Sequence, residues 1–132
     1  HFCCARSRFS IGPTAELEDG LSRLFRGRAI TFPSVTSAHA SALPLLAAGV
    51  LMEERDRGRP VRLIFDRQAH ASMQFLRPVL AAEARVVAVA HNDLGELADQ
   101  ARAARDAGEV PAYVADGVYS MGGLCPVREL MG

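Results

Sequence analysis

The sequence contains no lysine, and all fifteen of its basic side chains are arginine. An arginine guanidinium stays protonated at any working pH. The chain therefore has no internal side-chain amine that could deprotonate and attack an aldehyde. Fifteen acidic residues balance the arginines, so neither sign of charge is in excess. This balance excludes the strongly basic composition that is typical of partners of nucleic acids and of charged membrane surfaces.

Cysteine is scarce, and long apolar runs are missing. The three cysteines, Cys3, Cys4 and Cys125, have neither CxxC nor zinc-ligand spacing. An odd count of this kind favours a reduced, cytoplasmic setting over a disulfide framework, and it indicates no metal site. No apolar stretch approaches the roughly eighteen residues that a membrane span needs, and no signal peptide is recognisable. We therefore expect a cytoplasmic protein that has no membrane partner.

The length and composition fit one globular domain. The chain has 132 residues, of which 49% are hydrophobic and 23% charged. It lacks an initiator methionine, and it stops at Met131-Gly132, just after a helix is predicted to begin. We expect residues 1–132 to form a single partial domain that is truncated at both ends.

Helix and strand patterns alternate along the chain. An amphipathic helix is predicted from Pro13, with Leu17, Leu21, Leu24 and Phe25 on one face and Gly27 as its end. Short apolar runs predict strands at 28–33, 61–65, 86–90 and 110–115. Further helices are predicted from about 34 to 50, with a kink or an early break at Pro44, and from Asp93 to the stop at Gly108. A helix from 71 to 82 with Pro78 in its interior is predicted to turn four side chains inward, those of Met73, Leu76, Val79 and Leu80. The alternation predicts an α/β fold of three layers, in which a mostly parallel sheet carries helices on both faces.

A glycine-bracketed turn follows the last predicted strand. Loops at the carboxyl ends of strands line the ligand crevice in open α/β sheets. Asp116, Tyr119 and Ser120 leave the strand at that edge, and the glycines on either side permit sharp backbone turns. Taken alone, the segment is equally consistent with a polar turn without a function.

Four ordered motifs resemble the α-oxoamine synthase family of pyridoxal-phosphate enzymes. They are Ser7-Arg8 through Gly12 to Glu16-Leu17-Glu18, then Asp66 with His70-Ala71-Ser72, then His91-Asn92-Asp93, and finally Asp-Gly-Val-Tyr-Ser-Met at 116–121 followed by Gly123 and Pro126–Leu130. The family has the aspartate aminotransferase fold and condenses an amino acid with an acyl-CoA thioester. The resemblance covers nearly the whole chain but only about the first half of such an enzyme's catalytic domain.

The resemblance implies roles for four residues. His70 would stack on the pyridoxal-phosphate ring, Ser120 would contact the cofactor, and Val35 and Thr36 would meet its phosphate at a strand-to-helix junction. Each position has a structural alternative: a surface histidine, a turn serine, and an ordinary helix cap. Val35 stands where the family commonly has glycine, and Gly122 stands where an acidic residue is common.

Other polar residues have structural interpretations. Asp116 is expected to support its turn, and His91-Asn92-Asp93 to cap a helix. His39 either lines the site or simply belongs to its helix, and Cys125 is expected to be unreactive.

The family pattern places the Schiff-base lysine and the acid at the cofactor's ring nitrogen beyond residue 132. The chain alone is thus expected to be inactive, and its parent a homodimeric transferase whose site a second subunit completes. Two alternatives remain open, a non-catalytic α/β binding or interaction module and a related aminotransferase-like enzyme.

Overall fold

The computed structural model describes residues 12–131 of the chain. The chain divides into two compact units, of which the first ends at Ser34 and the second begins at Val35. The predicted motif at Ser7-Arg8 and the cysteines Cys3 and Cys4 lie outside the described residues. The assignment of residues 1–132 to a single partial domain stays a prediction.

The first unit contains one helix, α1 (Gly12–Phe25), among its described residues. The predicted amphipathic helix is confirmed, although Leu24 and Phe25 at its end are mostly exposed. The Gly27 N–H donates to the Ser22 carbonyl at 3.1 Å, which is the long backbone bond of a Schellman motif. The left-handed residue of this motif is Arg26, with φ of 52°, and the glycine follows it.

The strand predicted at 28–33 is wrong, because this segment has no regular secondary structure. Two of its backbone donors bond to side chains of α1. The Ala29 N–H donates to Ser22 Oγ at 2.9 Å, and the Thr31 N–H donates to Glu18 Oε1 at 2.7 Å. An apolar run alone could not show that these backbone groups bond to a helix side.

The second unit is built on a parallel sheet. Its strands are β1 (Val61–Asp66), β2 (Arg85–Val89) and β3 (Val110–Val114), in the spatial order β2-β1-β3. A small antiparallel hairpin, β4 (Val118–Tyr119) with β5 (Gly123–Leu124), follows the sheet. The helices are α2 (Val35–Ala47), α3 (Ala71–Gln74), α4 (Arg77–Leu80), α5 (Leu94–Asp106) and α6 (Val127–Met131), with a 3₁₀ turn at Glu54–Asp56. The predicted parallel pairing is confirmed for these three strands.

Helices cover both faces of the sheet, and the central strand β1 is therefore buried along its whole length. Alternate residues of a strand point to opposite faces. Leu63 and Phe65 pack with residues of α2, α3 and α4, whereas Ile64 packs with Leu97 of α5 on the other face. The predicted three-layer α/β fold is therefore confirmed for this unit.

Arg62 is the one arginine of β1, and it is only 3% exposed. Its guanidinium bonds to the Glu109 carboxylate and to the Gln100 and Ala103 carbonyls of α5. A buried charge of this kind requires a partner for nearly every donor. Arg62 thus fixes α5 to the sheet near the amino-terminal end of β1.

Proline affects two helices differently. Helix α2 continues through Pro44 to Ala47, and the Ala48 N–H still bonds to the Pro44 carbonyl at 2.9 Å. The helix predicted from 71 to 82 is instead split into α3 and α4, with Pro78 in the first turn of α4. Proline is favoured there because a first-turn N–H has no helical partner. The split leaves Val79 exposed, so its predicted inward position is wrong.

The predicted start and end of α5 are both confirmed. The Asp93 carboxylate caps the helix by accepting from the Glu96 N–H at 2.8 Å. Gly108 ends it with φ of 75°, a conformation that glycine adopts at little cost.

Among the described residues, no helix is long and apolar enough to cross a membrane.

Candidate functional site

The three strands of the sheet end at one edge, where the loops after β1, β2 and β3 meet. An open pocket of about 200 Å³ lies there. It is lined by Gln68, His70, Asp116, Val118, Tyr119 and Ser120. The structure therefore brings together His70 and Ser120, two of the predicted site residues, from loops that follow different strands.

The loop that carries His70 is tied to the loop that carries Ser120. The Asp116 carboxylate accepts from the His70 backbone N–H at 2.7 Å. The expectation that Asp116 supports its own turn is therefore incomplete, because it holds the histidine loop across the pocket. This bond ties the loop after β1 to the loop after β3.

His70 is also the N-cap of α3. Its Nδ1 accepts from the Ser72 N–H at 3.2 Å, and Ser72 Oγ lies 2.7 Å from the same nitrogen. One edge of the imidazole is thus engaged with the helix, while the residue as a whole is exposed at the pocket. A ring held in this way presents a flat face without being free to turn.

Behind the pocket, the Asp66 carboxylate is completely buried and accepts from several donors. The Gln68 N–H donates at 2.7 Å, the Asn92 N–H at 3.1 Å and the Tyr113 hydroxyl at 3.0 Å. His91 Nδ1 lies 3.2 Å from both carboxylate oxygens. Burial acts to raise the pKa of Asp66, but these bonds, led by those from Gln68 and Asn92, lower it overall. The group is therefore a carboxylate at neutral pH.

His91 links this carboxylate to the β4–β5 hairpin. Its Nε2 lies 3.0 Å from the Gly122 carbonyl, which accepts only. That carbonyl raises the pKa of His91; burial opposes the rise, and the Asp66 carboxylate adds to it. Asn92, in a left-handed conformation with φ of 56°, donates through Nδ2 to the Leu124 carbonyl at 3.1 Å.

The expectation for His91-Asn92-Asp93 holds only for Asp93, because His91 and Asn92 bond to the hairpin whose turn contains Ser120. Sequence reasoning missed this role, which joins segments far apart in the chain. The only local sign of this role was Asn92 itself, because asparagine at a turn tolerates the left-handed conformation.

Gly122 has a steric reason to be glycine. A Cβ at this position would lie 2.6 Å from Gln68 Oε1 and 2.7 Å from His91 Nε2. A larger residue would displace the histidine from the Gly122 carbonyl. The departure from the family's acidic residue is therefore coupled to the contact with His91.

Two aromatic hydroxyls and a thiol surround the same carboxylate. Tyr119 stacks edge-on against His91 with ring centroids 4.4 Å apart. Burial, and next the Asp66 carboxylate, raise the pKa of Tyr119 to about 12. Burial likewise raises the pKa of the Cys125 thiol, with a further contribution from Asp66. A raised thiol pKa agrees with the expectation that Cys125 is unreactive.

Val35 and Thr36 begin α2, but neither lines the pocket. The Val35 side chain is exposed. His39, one turn further along the same helix face, bonds through Nδ1 to Ser72 Oγ at 2.9 Å. The start of α2 therefore lies about 6 Å along the helix axis from a residue that contacts the His70 loop.

The chain is similar in structure to 8-amino-7-oxononanoate synthase from Francisella tularensis. The TM-score is 0.65, the sequence identity is 20%, and the likeness covers 92% of this chain. The chain spans 31% of the length of that synthase. No family model matches the sequence, and no curated protein matches it. This chain thus shares the fold of one part of an α-oxoamine synthase, as the resemblance of its motifs predicted.

Proposed function

We propose that this chain is the cofactor-binding part of a pyridoxal-phosphate-dependent transferase of the α-oxoamine synthase kind. The observation that carries the proposal is the shared pocket of His70 and Ser120 at the carboxyl edge of the sheet. The four motifs of the sequence support the same interpretation.

The residues around the pocket suit a flat, polar aromatic ring. His70 offers the face of a ring that the Ser72 N–H holds in place. Ser120 offers an exposed hydroxyl that can donate or accept, and Gln68 offers an amide. Outside the pocket lining, the N–H groups of the first turn of α2, at Val35 and Thr36, would serve an anionic phosphate. The donor set thus fits pyridoxal phosphate.

When bound, pyridoxal phosphate supplies an electron sink that stabilises a carbanion next to a substrate nitrogen. The chain's own residues would bind and orient it. His70 would stack on the ring and position the substrate, while Ser120 would hold the cofactor's edge. The buried Asp66 would keep both loops in place through His91 and the backbone of Gln68. The chain has no lysine, so its own residues would hold the cofactor without a covalent bond.

For the whole enzyme we propose an amino acid and an acyl-CoA thioester as substrates. A homodimer also stays a prediction, and light scattering of the purified protein would test it. The exposed apolar side chains of Val118, Met121 and Leu124 on and beside the hairpin are consistent with association.

A titration followed by NMR tests the cofactor site. Pyridoxal phosphate should perturb the His70 and Ser120 amides, and inorganic phosphate alone should perturb only those of Val35 and Thr36. Pyridoxamine phosphate should bind as well as the aldehyde, and borohydride should fix no pyridoxyl group on an internal residue. His70→Ala should weaken binding roughly tenfold through the loss of stacking. Ser120→Ala should weaken it roughly fivefold.

Val79→Ala, which alters an exposed residue outside the pocket, is the matched control and should bind like the wild type. A borohydride-stable adduct at an internal residue would contradict the proposal. So would cofactor binding that left His70 and Ser120 unperturbed. Failure to bind any of the three ligands would favour the alternative, a non-catalytic α/β module.

A further inference from the structure

Two histidines and a serine form a hydrogen-bonded chain beside the pocket. His39 Nδ1 lies 2.9 Å from Ser72 Oγ, and Ser72 Oγ lies 2.7 Å from His70 Nδ1. Ser72 is only 5% exposed, so water has little access to its hydroxyl. His39 belongs to α2 and His70 caps α3, so the chain joins two helices.

The direction of the bonds follows from one donor. A backbone N–H can only donate, and the Ser72 N–H points to His70 Nδ1. That nitrogen therefore carries no proton, and the ring proton lies on Nε2. The Ser72 hydroxyl, facing the same bare nitrogen, donates to it as well. Its oxygen is then left to accept, and His39 Nδ1–H is the donor that it accepts from.

We propose that His39, acting through Ser72, is a positioning residue that fixes His70 as the tautomer protonated on Nε2. The tautomer assignment stands on geometry alone, whereas its value for catalysis rests on the proposed function. The Nε2 edge of His70 would offer a substrate oxygen a hydrogen-bond donor and would not act as a base.

His39 is needed because serine can reverse its role. Without a donor to its oxygen, the hydroxyl can turn, and its oxygen can then accept a hydrogen bond from a protonated His70 Nδ1. The free energy of the tautomer protonated on Nδ1 then falls relative to that of the tautomer protonated on Nε2. The Ser72 N–H continues to oppose it, so the population shifts without reversing fully. The bond from the Ser72 N–H to His70 Nδ1, which caps α3, thus limits how far the tautomer ratio can shift.

The ¹⁵N chemical shifts of the imidazole rings, measured without any cofactor, test the proposal. Wild-type His70 should show a pyridine-type Nδ1 and a pyrrole-type Nε2. His39→Leu should lower the ratio of the two tautomers roughly threefold, and Ser72→Ala roughly fivefold to tenfold. His39→Asn should restore the wild-type ratio, because its amide N–H can take the place of the Nδ1–H donor.

His91 is an internal control for folding, since its bonds to Asp66 and Gly122 lie outside this chain of bonds. Its ring shifts should be the same in all variants. A protonated Nδ1 in wild-type His70 would overturn the proposal. An unchanged tautomer ratio in both His39→Leu and Ser72→Ala would also overturn it. Because no cofactor is present, either result leaves the cofactor proposal to its own titration.

Discussion

Asp66 organises the residues behind the pocket, although no part of its side chain reaches solvent. It accepts from the backbone of two loops, from Tyr113 and from His91. His91 in turn holds the Gly122 carbonyl, which lies two residues after Ser120. The hydrogen bonds of such a buried network favour one arrangement of its members. The position of Ser120 is thus set by residues that do not line the pocket.

Gly122→Ala should destabilise the protein by about 1–2 kcal/mol, because the added methyl group would force His91 away from the Gly122 carbonyl. Urea unfolding measures the change. Gly117→Ala is the matched control in the same segment, since a Cβ there meets nothing within 4 Å. It should stay within about 0.5 kcal/mol of the wild type. Equal losses in the two variants would show that the contact with His91 is not the cause.

The stability contributed by His91 should decrease as the pH rises. Its pKa in the folded protein is raised above the ordinary value of 6.5, so folding favours the protonated ring. The contribution is complete below the unfolded pKa and is lost as the pH rises through the folded pKa.

Unfolding of the wild type and of His91→Gln should therefore be compared from about pH 6 to pH 8. The difference in free energy between them should be largest at the acidic end. A difference that grew toward pH 8 would contradict the bonds assigned to both ring nitrogens.

Some helices and strands could be predicted from their own local sequence, and others could not. Strands β1, β2 and β3 were predictable because each is a short apolar run between breakers. The cap of α5 was predictable because Asp93 and Glu96 stand three residues apart. The irregular segment at 28–33 was not, since Glu18 and Ser22 of a preceding helix take its backbone donors. One helix was predicted through Pro78, and the sequence could not show that α3 would end before this proline and α4 begin beside it.

Asp93→Ala should destabilise the protein by about 1 kcal/mol through the loss of the α5 cap. Asp99→Ala, an exposed position within the same helix, is the control and should cost less than about 0.5 kcal/mol. Chemical denaturation of both variants gives the comparison. If Asp93→Ala were no worse than Asp99→Ala, the bond to the Glu96 N–H would contribute nothing measurable to stability.

At the scale of the whole molecule, the order of helices and strands was enough to predict the fold class. Parallel strands then require that their following loops meet at one edge, which is how His70 and Ser120 could be paired from sequence. The contacts of Gly122 with His91, and of His39 with Ser72, could not be predicted in this way. These contacts depend on how side chains from separate elements pack, and no local sequence pattern shows which side chains will meet.

An intermolecular NOE experiment on the 132-residue protein with bound pyridoxal phosphate shows whether His70 and Ser120 hold the cofactor. The methyl group of the cofactor ring should show NOEs to the ring protons of His70 and to the β protons of Ser120. The methyl groups of Val79, exposed and outside the pocket, should show none. Bound cofactor with NOEs only to residues outside the pocket would contradict the account.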